Sequence, residues 1–152
     1  MKMVRLIGCL SASLMALTVL TATPAVADVG QSVRTESGKM RCEVYANDTG
    51  HGGGPLVVCQ QANAAPFPQA PFSSEYSSQM NLAVVRADGA FSWDIGNLAG
   101  SDEALASDRV LRYGQSYNIN GWTVEANEGG TRFTHDDTGH GMFVSVENVY
   151  AF

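Results

Sequence analysis

Between residues 38 and 152 the chain alternates apolar and polar positions in short runs, separated by glycine, proline, asparagine and aspartate. A period of two residues predicts half-buried strands. In the first run, 40–46, Met40, Cys42 and Val44 share one side and Arg41, Glu43 and Tyr45 the other. A second run covers 55–61. Setting Cys42 opposite Cys59 brings Val44 opposite Val57 and makes 47–54 a connecting loop. Residues 62–76 interleave Pro66, Pro68 and Pro71 with Phe67 and Phe72. Proline lacks a ladder donor, so this stretch reads as a connection that lays both phenylalanines on the core.

Further along, 79–95 reads as a hairpin with Asp88-Gly89 as a two-residue turn. That turn pairs Arg86 with Phe91, Val84 with Trp93 and Leu82 with Ile95, and gathers the large apolar side chains on one face. Ser101-Asp102-Glu103 predicts one short helical turn through Leu105, capped by the serine. Short strands are expected at 109–112 and 115–119. A hairpin over 122–135, turning at Glu128-Gly129, sets Val124 opposite Phe133 and Glu125 opposite Arg132. Return strands at 142–146 and a docked aromatic end at 150–152 complete an all-β fold, an antiparallel β-sandwich or small barrel of about eight short strands.

The first 27 residues follow a different pattern. Lys2 and Arg5 precede an apolar run from Leu6 to Leu20, and Ala25-Val26-Ala27 supplies small residues for cleavage. This predicts a cleavable secretory signal peptide, a mature chain starting at Asp28 and a secreted, extracellular location. The run is shorter than the ~20 residues of a spanning helix, so no stable membrane insertion is expected after cleavage. Residues 28–37 read as a flexible lead-in and 38–152 as a single β domain.

The chain carries a formal charge of −6. Without Lys2 and Arg5, seven basic residues face fifteen acidic ones, a balance of −8 that excludes nucleic acid as an expected partner. Cys42 and Cys59 are the two cysteines beyond the signal segment. In an exported chain such a pair reads as a disulfide, stabilising by about 3 kcal/mol in the chain-entropy model.

The candidate chemistry centres on a repeat: Asp48-Thr49-Gly50-His51-Gly52 returns as Asp137-Thr138-Gly139-His140-Gly141. Asp48, His51, Asp137 and His140 are the candidate loop site. His51, His135 and His140 are the histidines of the chain, all in or beside these loops and next to Asp48, Asp136 and Asp137. Imidazole and carboxylate suit zinc, so converging loops would make a metal site. A plainer reading is that these are ordinary turn residues. Gly38 to Cys42 resembles Gly129 to Phe133 ahead of the second copy, as in a duplicated hairpin.

Catalytic patterns are incomplete. His51-Gly52-Gly53-Gly54 is similar to a glycine-rich oxyanion loop, yet Gly114-Gln115-Ser116-Tyr117-Asn118 misses the last glycine of a nucleophile elbow. Two Asp-Thr-Gly triplets suggest a shared-proton carboxylate pair, without the flanking hydrophobic residues that normally accompany it. No catalytic residue is assigned.

Ser37-Gly38 with Cys42, Leu111-Arg112-Tyr113-Gly114, and Gly139-His140-Gly141-Met142-Phe143 with Tyr150 resemble the segments of a family of small exported actinobacterial (mycobacterial-type) proteins of unknown function. The resemblance spans nearly all of 28–152. Family members usually carry a second cysteine pair where this chain has Val124 and Phe133, which implies a structural role for that position. The expected function is a secreted, non-enzymatic binding or cell-envelope-associated module that meets an extracellular or envelope protein partner through its two Gly-His-Gly loops. A metal-binding exported protein is the alternative, and a small extracellular hydrolase the third reading.

Overall fold

The computed structural model describes residues 28–98 and 102–152. The predicted signal segment and Ser101, the expected helix cap, lie outside the described residues. In chain order the elements are β1 (Val29–Thr35), β2 (Met40–Asn47), β3 (Leu56–Gln61), β4 (Phe72–Ser73), β5 (Ser78–Gln79), β6 (Leu82–Arg86) and β7 (Phe91–Asp94). There follow α1 (Asp102–Ser107), β8 (Arg109–Leu111), β9 (Gln115–Ile119), β10 (Trp122–Asn127), β11 (Gly130–His135), β12 (Gly141–Val144) and β13 (Val149–Ala151).

One sheet has the order β7-β6-β3-β2-β1-β8, antiparallel except for the parallel β1–β8 pair. The other is the meander β13-β12-β11-β10-β9, and β4 pairs with β5 alone. Among the described residues both large sheets keep open edges, so the expected small barrel is not what forms. Strands also outnumber the expected eight, because two-residue pairings such as β4 and β5 are too short to show a period.

A further correction concerns 28–37. The expected flexible lead-in contains β1, which lies between β2 and β8. Among its described side chains only Val33 is apolar and in the buried core, beside the buried Thr35, so little period shows in the sequence. Gly30 adds no side chain there: a Cβ would meet the Tyr45 ring at 2.4 Å.

The β2–β3 hairpin keeps the register read from the cysteines, Cys42 opposite Cys59 and Val44 opposite Val57, and the disulfide closes it. In the meander Val124 faces Phe133 and Glu125 faces Arg132, as expected. Met40, Cys42, Val44, Val57 and Cys59 join Ile119, Trp122, Val124, Phe133 and Met142 in one buried cluster to which both large sheets contribute. Burying each large side chain of this kind stabilises by about 1.5–3 kcal/mol. Hydrogen bonds also tie β2 to the β9–β10 hairpin: Asn120 Nδ2 donates to the Val44 carbonyl at 2.8 Å, and Trp122 Nε1 to the Tyr45 carbonyl at 3.3 Å.

The β6–β7 hairpin departs from its expected register by one residue. Val85 pairs with Phe91, Val84 with Ser92, Ala83 with Trp93 and Leu82 with Asp94. The cause is the turn. Gly89 N–H donates to the Arg86 carbonyl and Arg86 N–H to the Ala90 carbonyl, each at 2.9 Å, so the loop holds three residues, with Gly89 at φ +88. This is the three-residue hairpin with a glycine bulge. A one-residue slip exchanges faces. Ala83, Val85, Phe91 and Trp93 therefore meet the main core, while Leu82 and Val84 turn to the other face with Leu56, Val58, Tyr45 and Leu98.

The proline-containing connection is split as well. Phe67 is fully buried and packs on Trp93 at 5.6 Å between ring centroids. Phe72, expected on the core, is 68% exposed. At the other end of the chain β13 does dock: Phe152 exchanges two 3.0 Å backbone hydrogen bonds with Gly141, and the Arg132 guanidinium lies over its ring.

Candidate functional site: the paired loop end

The first copy of the repeat forms the β2–β3 loop. Its closure is local: Asp48 N–H donates to the Gly54 carbonyl at 3.0 Å, and Gly53 N–H to the Asp48 carbonyl at 2.8 Å. The buried Asp48 carboxylate organises the interior, as aspartate does in turns. It accepts from the His51 backbone N–H at 3.3 Å and lies 2.7 Å from His51 Nδ1. His51 Nε2 is in turn 3.8 Å from Asp94. On the outer side Asp28 accepts from the Thr49 backbone N–H at 2.7 Å, and these Thr49 hydrogen bonds hold the Asp28 carboxyl below its ordinary value.

The second copy forms the β11–β12 loop in another way. His135 N–H donates to the His140 carbonyl at 2.8 Å, and Gly139 N–H to the His135 carbonyl at 2.9 Å. Identical letters adopt different backbones here. Left-handed φ falls on Gly52, the fifth residue of the first copy, and on Gly139, the third of the second. Gly141, the fifth of the second copy, begins β12. Both copies thus sit at strand-joining tips, in different conformations.

The two loops do meet the same element, the β6–β7 turn. On one side the Arg86 guanidinium donates to the His51 carbonyl and, at 3.2 Å, to the Gly53 carbonyl. On the other, Thr138 Oγ1 donates to the Ala87 carbonyl. Gly89 lies under the His140 ring so closely that a Cβ there would come within 2.9 Å of it. The structure therefore places both copies at one end of the fold, bridged by residues 86–89.

Their histidines go to separate partners. His51 lies against Asp48 and Asp94. His135 is buried, edge-on to Trp122 at 5.0 Å between ring centroids, with Nδ1 3.3 Å from Thr138 Oγ1. His140 is exposed and its Nδ1 is 3.3 Å from the Phe152 carbonyl. Among the described residues no three His, Cys, Asp or Glu side chains gather to hold a metal ion. Asp137 is exposed, whereas Asp48 is buried on His51. Ser116 sits exposed on edge strand β9 opposite Glu125.

Arg86, Ala87 and Thr138 join the loops, yet none of them is among the site residues to which the sequence points. The one available signal was a cation directly before the Ala87-Asp88-Gly89 turn; its partners are 35 and 33 positions away. A different long-range association involves two of the segments on which the family resemblance rests. Ser37 N–H donates to the Tyr113 hydroxyl at 3.2 Å, and Tyr113 N–H to Glu36 at 2.8 Å. Comparison with protein-family models, curated proteins and solved structures finds no match to this chain.

Proposed function

We propose that this chain is an exported, non-enzymatic binding module of the cell envelope whose contact surface is the paired loop end. The observation that carries the reading is the attachment of both repeat loops to one turn, through Arg86 on one side and Ala87 on the other. Loops held in place on a sheet scaffold form a preorganised surface, the usual arrangement for recognition. Thr49 and Gly50 of the first loop and Asp136 to His140 of the second are exposed, with Asp88 from the turn between them. The carboxylates there favour a partner presenting basic or hydrogen-bonding groups. The amino-terminal pattern and the family resemblance support export, and the core shared by the two large sheets supports a sandwich arrangement.

The test is co-sedimentation of the oxidised protein with isolated envelope fractions, beside a His51→Ala, His140→Ala double variant and an Arg112→Gln control at a distant exposed position. The reading expects the control to retain binding and the double variant to lose at least tenfold in affinity. Equal retention by all three proteins, or none above background, would remove it.

A further inference from the structure

A cavity lies at the end of the β2–β3 hairpin away from the repeat loops. Tyr45 pairs with Leu56 beside the loops, and Met40 with Gln61 at the far end. Around that far end is a cavity of about 330 Å³ whose walls include Arg34, Met40, Arg41, Gln61, Leu105 and Asp108.

Its two arginines are direct cross-strand neighbours, Arg34 on β1 and Arg41 on β2. Like charges in that relationship repel. Arg41 is compensated: Nε and Nη2 donate to the buried Asp108 carboxylate at 2.7 and 2.9 Å, and Glu43 lies 3.9 Å away. Arg34 is not. Its Nε is buried without a hydrogen-bond partner, and among the described residues it takes part in no ion pair of the fold. Arg34 is half-buried at the cavity wall with its charge matched by no carboxylate of the described fold, so an anion in the cavity would supply the missing counter-charge.

Charge distribution points the same way. The chain is acidic, yet three of the seven basic residues after position 27, Arg34, Lys39 and Arg41, fall within eight positions. Lys39 lines the depression that adjoins the cavity through Gly38, Gln61 and Ala62.

We propose that this cavity binds a small monocarboxylate with a short apolar chain. One guanidinium is uncommitted, which suits one negative group, and the planar fork of arginine matches a carboxylate. The carboxylate pairs with the Arg34 guanidinium, and the apolar chain lies on Met40, Leu105 and Ala106. The volume is at the lower end of small-molecule sites, about 300–1,000 Å³. This site is independent of the loop end.

The test is titration of the oxidised protein with octanoate, followed by calorimetry and by the Arg34 Nε–H resonance in ¹⁵N spectra. Octanol and octyl phosphate serve as comparison ligands, and Arg34→Gln as the variant. Saturable 1:1 binding is expected, with a shift of the Arg34 Nε–H signal and at least tenfold weaker affinity for octanol and in Arg34→Gln. The wild-type resonance keeps the test independent of how the variant folds. Absence of saturable octanoate binding, an unmoved Arg34 signal, or undiminished affinity in a folded Arg34→Gln protein overturns the proposal. Tighter binding of octyl phosphate than of octanoate overturns the carboxylate assignment.

Discussion

The carbonyl oxygen of His51 accepts a hydrogen bond from the guanidinium of Arg86, a residue 35 positions further along the chain. This contact ties the first copy of the repeat to the β6–β7 turn, whose other side holds the second copy through Thr138 and Ala87.

Replacing Arg86 with alanine removes the donors to His51 and Gly53 together. Hydrogen bonds from a charged donor contribute about 1.5–3 kcal/mol, and partial burial keeps these from being fully replaced by water. Arg86→Ala is expected to lower stability by about 2 kcal/mol in urea unfolding and to speed amide exchange selectively in residues 48–54. Unchanged exchange in that loop would show that Arg86 does not hold it.

The inequivalent backbones of the repeat predict inequivalent glycines. At Gly52, φ +89 makes any side chain strained, while the nearest atom to an added Cβ is 3.9 Å away. Gly52→Ala should therefore cost about 1–2 kcal/mol, the left-handed penalty alone. At Gly141 a Cβ would fall 1.8 Å from the Phe133 carbonyl oxygen, which is backbone and cannot rotate aside. Gly141→Ala should cost at least about 3 kcal/mol, or prevent folding, because strands β11 and β12 must separate. Equal thermal stability of the two variants would contradict the different roles.

Asp108 and Arg41 form a two-point ion pair, with side-chain exposure of 0% and 8%. Removing one member of such a pair leaves a buried charge without compensation, at a cost of about 3–5 kcal/mol. Asp108→Ala is expected to show this loss in denaturant unfolding. The Arg41→Met, Asp108→Leu double variant should lose less than the sum of its single changes. Additive losses would mean that the two side chains act independently.

Glu36 supplies a pH dependence. The Tyr113 backbone N–H, and then the Arg112 guanidinium at 3.2 Å, hold its carboxyl below the ordinary 4.5. For a depressed carboxyl, the stabilisation is present above the ordinary value and is lost as pH falls through the folded one. Carboxyl NMR should give Glu36 a midpoint under 4.5 with the Tyr113 amide shift following it. A midpoint at or above 4.5 would contradict the contact.

Local pattern made much of the fold legible. Alternation around Cys42 and Cys59 settled the β2–β3 register, since shifting it would part the cysteines and bring Arg41 and Glu43 inward. Glu128-Gly129 likewise set Val124 against Phe133. The Asp88-Gly89 turn was visible, but its length was not. Two- and three-residue loops differ by backbone hydrogen bonds that the residue letters do not distinguish, and that single residue moved Leu82 and Val84 to the opposite face.

By itself the sequence determined the strand-rich class, the disulfide and the placement of a repeated pentapeptide at hairpin tips, because period-two burial and turn chemistry act between near neighbours. Only the tertiary structure decided that β1 enters the sheet, that one turn bridges both repeat loops, and that Arg41 has Asp108 while Arg34 stands without a partner. Those outcomes depend on side chains brought together from tens of residues apart. Packing and charge compensation select such partners in three dimensions, and no local period records them.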